Sequence, residues 1–154
     1  MTTHDIRELL QPFGLMRNLE PAQLDLVAGC GQNTHFDART MIFRDGEPAD
    51  TFYALRSGKV ALEINVPQRG PLVIDTLGPG DVLGWSWLFP PYRWHFDARA
   101  VESTSAVALD GKCLRDKCSD DPVLGYRLMR SFTQVVIDRL QATRLQLLDV
   151  YGHG

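Results

Sequence analysis

The stretch Gly78-Pro79-Gly80-Asp81-Val82-Leu83-Gly84-Trp85-Ser86-Trp87-Leu88-Phe89, continued by Pro90-Pro91-Tyr92-Arg93-Trp94, decides how this chain is read. It opens as a corner: glycine turns freely, proline fixes φ, and aspartate bonds its own neighbouring backbone. It then runs into Trp85, Trp87 and Trp94, which together are all three tryptophans of the chain. Side chains of that area are poorly suited to an ordinary surface loop and point to a packed or ligand-facing segment.

Upstream of this stretch the texture is β-prone. Met41-Ile42-Phe43, Thr51-Phe52-Tyr53-Ala54-Leu55, Val60-Ala61-Leu62-Glu63-Ile64 and Leu72-Val73-Ile74 are short runs rich in β-branched, aromatic and aliphatic residues, and Ala106-Val107-Ala108-Leu109 follows downstream. Turn signals separate them at Asp45-Gly46-Glu47-Pro48, Arg56-Ser57-Gly58-Lys59 and Arg69-Gly70-Pro71. Short strands with frequent Gly and Pro corners predict a mainly β fold, a jelly roll or small barrel, rather than a parallel α/β sheet. Helices flank it. Asp5 to Leu10 and Pro21 to Ala28 carry amphipathic spacing, with Pro21 suited to a first turn. Beyond Ser119, Asp121 is placed to cap and Pro122 to start a helix through Leu128, Phe132, Val136, Leu140, Leu147 and Val150. No proline or glycine interrupts residues 126–151, so at 1.5 Å per residue this helix runs about 40 Å. Val136, Leu140, Leu147 and Val150, with Thr143 between, also follow the spacing of a coiled-coil seam, which predicts a homodimer; a helix folded back on its own barrel is the alternative.

The 154 residues are expected to form one domain, with a helical part over 1–30, strands over 34–118 and the final helix over 121–151. Hydrophobic residues at 44% and charged residues at 23% are ordinary for a folded globular chain. A formal charge of −3 supplies no overall field toward nucleic acid or an anionic membrane. No secretory leader or run of 18 apolar residues is seen, so no membrane association and a cytoplasmic location are expected. Cys30, Cys113 and Cys118 are read as core or surface thiols, without the second close pair that a zinc site needs.

The order of parts resembles that of cyclic nucleotide-binding domains, the sensor domains of Crp/Fnr-like regulators. The likeness covers almost the whole chain and rests on Met41 to Asp50 as entry strand and turn, Thr51 to Val60 as the next hairpin, and Leu77 to Gly84 as the approach to the ligand cassette. It implies a jelly-roll barrel (double-stranded β-helix) with flanking N- and C-terminal α-helices, and a cassette at residues 84–94. The family's cassette uses backbone amides at a short helix start, a carboxylate after its glycine for the ribose 2′-hydroxyl, and an arginine near its end for the cyclic phosphate. Here Gly84 matches the glycine, while Trp85 stands in the carboxylate's place and Trp94 in the arginine's, with Arg93 one residue earlier.

The resemblance therefore implies a sensor module whose candidate ligand contacts are Gly84, Trp85, Ser86, Trp87, Arg93, Trp94 and Arg99, with Thr133 as a lid residue on the last helix. The candidate ligands are cyclic AMP, cyclic GMP or another small anion. Two accounts of the aromatics stay open: stacking on a planar ligand, with Arg93 or Arg99 neutralising its charge, or filling of the pocket in a protein-interaction module. A truncated sensor domain of a Crp/Fnr-like transcription regulator is a third. An enzyme is not expected, since His4, His35, His95 and His153 are scattered and no nucleophile elbow, P-loop or dinucleotide fingerprint occurs. Nor is DNA binding by this chain alone: no helix-turn-helix unit follows the long helix, and Arg127, Arg130, Arg139 and Arg144 are offset by Asp120, Asp121, Asp138 and Asp149. A protein partner is expected instead.

Overall fold

The computed structural model describes residues 2–84 and 86–152, apart from the side chains of Leu88, Thr143 and residues 145–152. The chain begins with α1 (Thr3–Leu10), where Thr2 and Asp5 bond each other's backbone amides, and α2 (Pro21–Ala28), started by its proline. Eight strands follow: β1 (Gly31–Phe36), β2 (Met41–Phe43), β3 (Thr51–Ser57), β4 (Val60–Val66), β5 (Gly70–Leu77), β6 (Val82–Leu83), β7 (Asp97–Ala100) and β8 (Thr104–Asp110). Two helices follow, α3 (Gly111–Asp120) and α4 (Pro122–Gly152).

The strands make two four-stranded sheets, ordered β1-β8-β3-β6 and β2-β7-β4-β5, with every pairing antiparallel. This corrects the expected mainly β barrel. The sheets are open, with no ladder joining one to the other, and helices account for at least as many of the described residues as strands do. The cause lies in β3 and β8, whose side chains alternate between two apolar environments. Leu55 and Ala106 face the second sheet and join Phe43, Val60, Leu62, Leu77, Leu83, Trp94 and Ala98 in one cluster. Phe52, Ala54, Val107 and Leu109 face the other way, into a second cluster with Ile6, Leu10, Leu24, Val27, Leu114, Leu124, Leu128 and Phe132 of the helices. The first sheet is thus a middle layer, and its helix-facing surface needs as much cover as its sheet-facing one. Helices are half of the core here rather than an appendage to a barrel.

The cysteines also depart from expectation. Cys30, just before β1, is disulfide-bonded to Cys113 in the first turn of α3, and Cys118 alone is a free thiol. The α3 helix covers residues 111–118 of the expected strand region. It ends at Asp121, whose backbone leaves the helical region and whose carboxylate accepts the Leu124 amide at 3.2 Å to start α4. Among the described residues no helix is long and apolar enough to cross a membrane.

Candidate functional site

After β6 the chain turns at Gly84, passes a short 3-10 turn at Ser86–Leu88, and returns through Pro90, Pro91 and Tyr92 to residues 92–94. These last pair with the turn after β2. The Ala49 amide donates to the Tyr92 carbonyl at 2.7 Å, the Trp94 amide to Glu47 at 3.0 Å, and the Gly46 amide to Trp94 at 2.8 Å. Arg93 and Pro48 form an isolated antiparallel bridge. An extended segment sends alternate side chains to opposite sides, and here Trp94 goes inward while Arg93 goes out.

Trp94 is 3% exposed. Its indole stacks on Phe43, with ring centroids 3.8 Å apart and planes 5° from parallel, and Phe96 lies at 6.4 Å. It also lies over Gly84: a Cβ on that residue would meet the indole at 2.4 Å, and the backbone there has φ +96°. Glycine is thus required both by conformation and by close approach. Beside the stack, Tyr53, Ile42, Glu47, Pro48, Asp50 and Thr51 line a cavity of about 180 Å³ together with Phe43 and Trp94. Burial pushes the Tyr53 phenol above its ordinary pKa.

Trp87 belongs to the other core. It is fully buried, stacks on Phe52 at 4.9 Å and meets Phe132 of α4 edge-on at 5.4 Å. Its indole N–H has no acceptor among the described residues. Trp87 therefore ties the cassette to the helices. Ser86 is buried and its carbonyl accepts the Phe89 amide at 3.4 Å. Trp85 lies outside the described residues.

Both candidate arginines donate to oxygens of neighbouring segments. Arg93 is exposed and donates to the Gly46 carbonyl at 2.7 Å. Arg99, on β7 between the buried Ala98 and Ala100, donates to Glu63 at 3.4 Å and to the Arg39 carbonyl at 3.4 Å. Thr133 is exposed on α4, and its hydroxyl donates to the Met129 carbonyl at 2.8 Å. It lines a groove of about 340 Å³ with Tyr126, Met129, Arg130, Gln134 and Ile137. Val136 and Leu140 are exposed on the same helix, while the side chains of Leu147 and Val150 lie outside the described residues. Among the described residues no group of three or more His, Cys, Asp or Glu is placed to hold a metal ion.

Sequence reasoning passed over two residues that organise this region. Phe43 closes the stack on Trp94, which its position beside a corner gave no reason to expect. Arg115 of α3 donates to the Trp87 carbonyl at 2.6 Å and lies 4.3 Å over the Tyr92 ring, gripping both ends of the cassette turn. No spacing in the sequence links positions 87, 92 and 115; only the fold brings them together.

Residues 33–121 match the model of the cyclic nucleotide-binding domain family. Among curated proteins the chain is 28% identical over 143 residues to a CRP-like cAMP-activated global transcriptional regulator of Mycobacterium tuberculosis. That match covers 93% of this chain and 62% of the relative, so the chain spans about three-fifths of that protein's length. Among solved structures it resembles a putative cyclic nucleotide-binding protein of Geobacter metallireducens, with TM-score 0.78, 25% identity, and 91% and 98% of the two chains covered. In fold it is also similar to the sensor domain of the transcriptional regulator DNR from Pseudomonas aeruginosa, with TM-score 0.72, 21% identity, and 90% and 93% covered.

Proposed function

Since this chain belongs to the cyclic nucleotide-binding domain family, as a regulatory, Crp/Fnr-like sensor module rather than an enzyme, we propose that its own aromatic residues fill the cassette and that it binds cyclic AMP and cyclic GMP only weakly. The observation that carries this reading is Trp94, buried on Phe43 and over Gly84. The indole takes up volume next to the cassette glycine, where an incoming ribose phosphate would need backbone amides and space. The residues present also fit such a ligand poorly in chemistry. Trp85 follows Gly84 in place of a ribose acceptor, and the Arg93 guanidinium lies on the outer side, donating to the Gly46 carbonyl. Leaving a hydroxyl unpaired in a partly dry site costs about 1 to 3 kcal/mol, or about one to two decades of affinity.

On this reading the module acts through α4. Tyr126, Met129, Val136 and Leu140 are exposed on that helix at successive spacings of three, seven and four, with the exposed Ile137 beside Val136. Such a stripe suits a second copy of the chain or a protein partner. Trp87, packed on Phe132, and Arg115, held on the cassette, supply the route between cassette and helices.

Thermal denaturation with and without millimolar cyclic AMP or cyclic GMP tests the assignment of residues. A ligand stabilises in proportion to the logarithm of its concentration over Kd, so a small upward shift in Tm is expected, the same in wild type and in Arg93→Ala. A shift that disappears in Arg93→Ala would make Arg93 the phosphate ligand and overturn the outward role given to it.

A further inference from the structure

The Cys30–Cys113 bond joins parts of the chain 83 residues apart, and its position is informative. Cys30 lies between α2 and β1; Cys113 lies in the first turn of α3, where its amide donates to the capping Asp110 carboxylate at 3.1 Å. The Asp110 amide in turn donates to the Cys30 carbonyl at 2.9 Å. The bond therefore pins the start of α3 to the first sheet. That start touches the cassette directly. A Cβ on Gly111 would lie 2.9 Å from the Trp87 Cβ, and one turn further on Arg115 holds the Trp87 carbonyl and the Tyr92 ring. Tyr92 has φ +55°, a left-handed conformation costly for a bulky side chain, so the cassette turn depends on such outside contacts to keep its shape.

The bond opens toward the surface on its Cys113 side, Cys30 being buried in the helix-side core. Both cysteines line an open cavity of about 340 Å³ with Gly29, Gly31, Gln32, Thr51, Ala108 and Asp110, and Cys113 is only half-buried.

We propose that Cys30–Cys113 is a reversible thiol–disulfide site that sets how firmly α3 grips the cassette. The reductant is a dithiol. One of its thiolates attacks the Cys113 sulfur, the Cys30–Cys113 bond breaks, and Cys30 leaves with the electron pair and takes a proton. The second thiol of the reductant resolves the mixed disulfide, freeing Cys113 as a thiol, so two electrons and two protons pass to the protein and the reductant becomes a disulfide. Once reduced, α3 keeps its cap and its packing but loses the covalent pin, and the cassette loosens with it. Cys118 takes no part.

Hydrogen exchange read by mass spectrometry on the whole chain, oxidised or treated with dithiothreitol, tests this without any ligand. Maleimide should label one cysteine, Cys118, in the oxidised protein and all three after reduction, with reoxidation restoring the first pattern. Residues 86–92 and 111–118 should exchange several-fold faster on reduction, while the β4–β5 pair stays protected. The Cys113→Ser variant should show the reduced profile in either buffer, and Cys118→Ser should respond like wild type. If Cys113→Ser fails to fold, the reduced wild-type profile decides the matter. Unchanged exchange at 86–92, three reactive thiols under oxidising conditions, or loss of protection throughout both sheets on reduction would each overturn the proposal.

Discussion

At position 94 an indole fixes the segment's place by buried area, stacked on Phe43 and lying over Gly84. Trp94 and Phe43 shield each other, and truncating Trp94 to alanine should cost about 3 to 5 kcal/mol of unfolding free energy in urea denaturation. Gly84→Ala should also destabilise, by about 1 to 3 kcal/mol for its φ of +96° and further for the clash at 2.4 Å, unless Trp94 moves. A Gly84→Ala protein as stable as wild type would mean that the indole is free to leave. In the chain itself Gly84, Trp94 and the missing carboxylate stand out against the family's cassette, but whether the indole meets a ligand or packs inward is not written there, because it depends on Phe43, a partner 51 residues away. The direction taken by Arg93 was not legible. The Pro90-Pro91-Tyr92 bend hides the register, and only the bridge between Arg93 and Pro48 fixes which neighbour faces in.

Among the elements, β2, β3, β4, β5, β8 and α4 were readable because apolar residues recur at their proper period or cluster between turn signals. By contrast, β1 is the polar run Gly31 to Phe36 and is held as a strand by its ladder to β8, a non-local cause that no local pattern carries. The α3 helix was missed because Gly111, Lys112, Cys113, Asp116 and Lys117 leave Leu114 as its main apolar anchor. The break between α3 and α4 rests on Asp121, so Asp121→Ala should cost about 1 kcal/mol in the same denaturation experiment by removing the bond to the Leu124 amide. Near that break, burial and then the Asp121 charge push the Cys118 thiol above its ordinary pKa. A thiol held neutral in the folded state loses stability to the unfolded chain as pH rises through the ordinary thiol range, because the unfolded form ionises first. Alkylation of Cys118 in the oxidised protein should accordingly reach half its maximal rate at a higher pH than a free cysteine does. A midpoint at or below that of free cysteine would contradict the burial described here.

For the whole molecule, the arrangement is a layer of helices on a sheet that itself packs on a second, open sheet, with the cassette touching both cores. Trp94 anchors the cassette between the sheets and Trp87 anchors it under α3 and α4. The barrel expected from turn spacing did not appear because turn spacing reports strands and corners, not whether two sheets share a ladder. On the outer surface α4 is tied to β5 by the Arg139–Asp75 ion pair, and both elements expose apolar residues, Leu140 on the helix and Leu72, Val73 and Ile74 on the strand. Leu140 is 52% exposed, so Leu140→Glu should leave the thermal stability of an isolated chain nearly unchanged, yet weaken self-association in sedimentation equilibrium by placing a charge in the proposed seam. Equal association by wild type and variant would remove Leu140 from that seam.

The claim on which the rest depends is that the cassette is occupied by the protein's own side chains. Calorimetric titration of the ligand-free wild-type chain with cyclic AMP, and separately with cyclic GMP, tests it most directly. With the pocket filled, no saturable binding tighter than about 10 μM is expected, a free energy weaker than about −7 kcal/mol. Sub-micromolar binding of either nucleotide would contradict it.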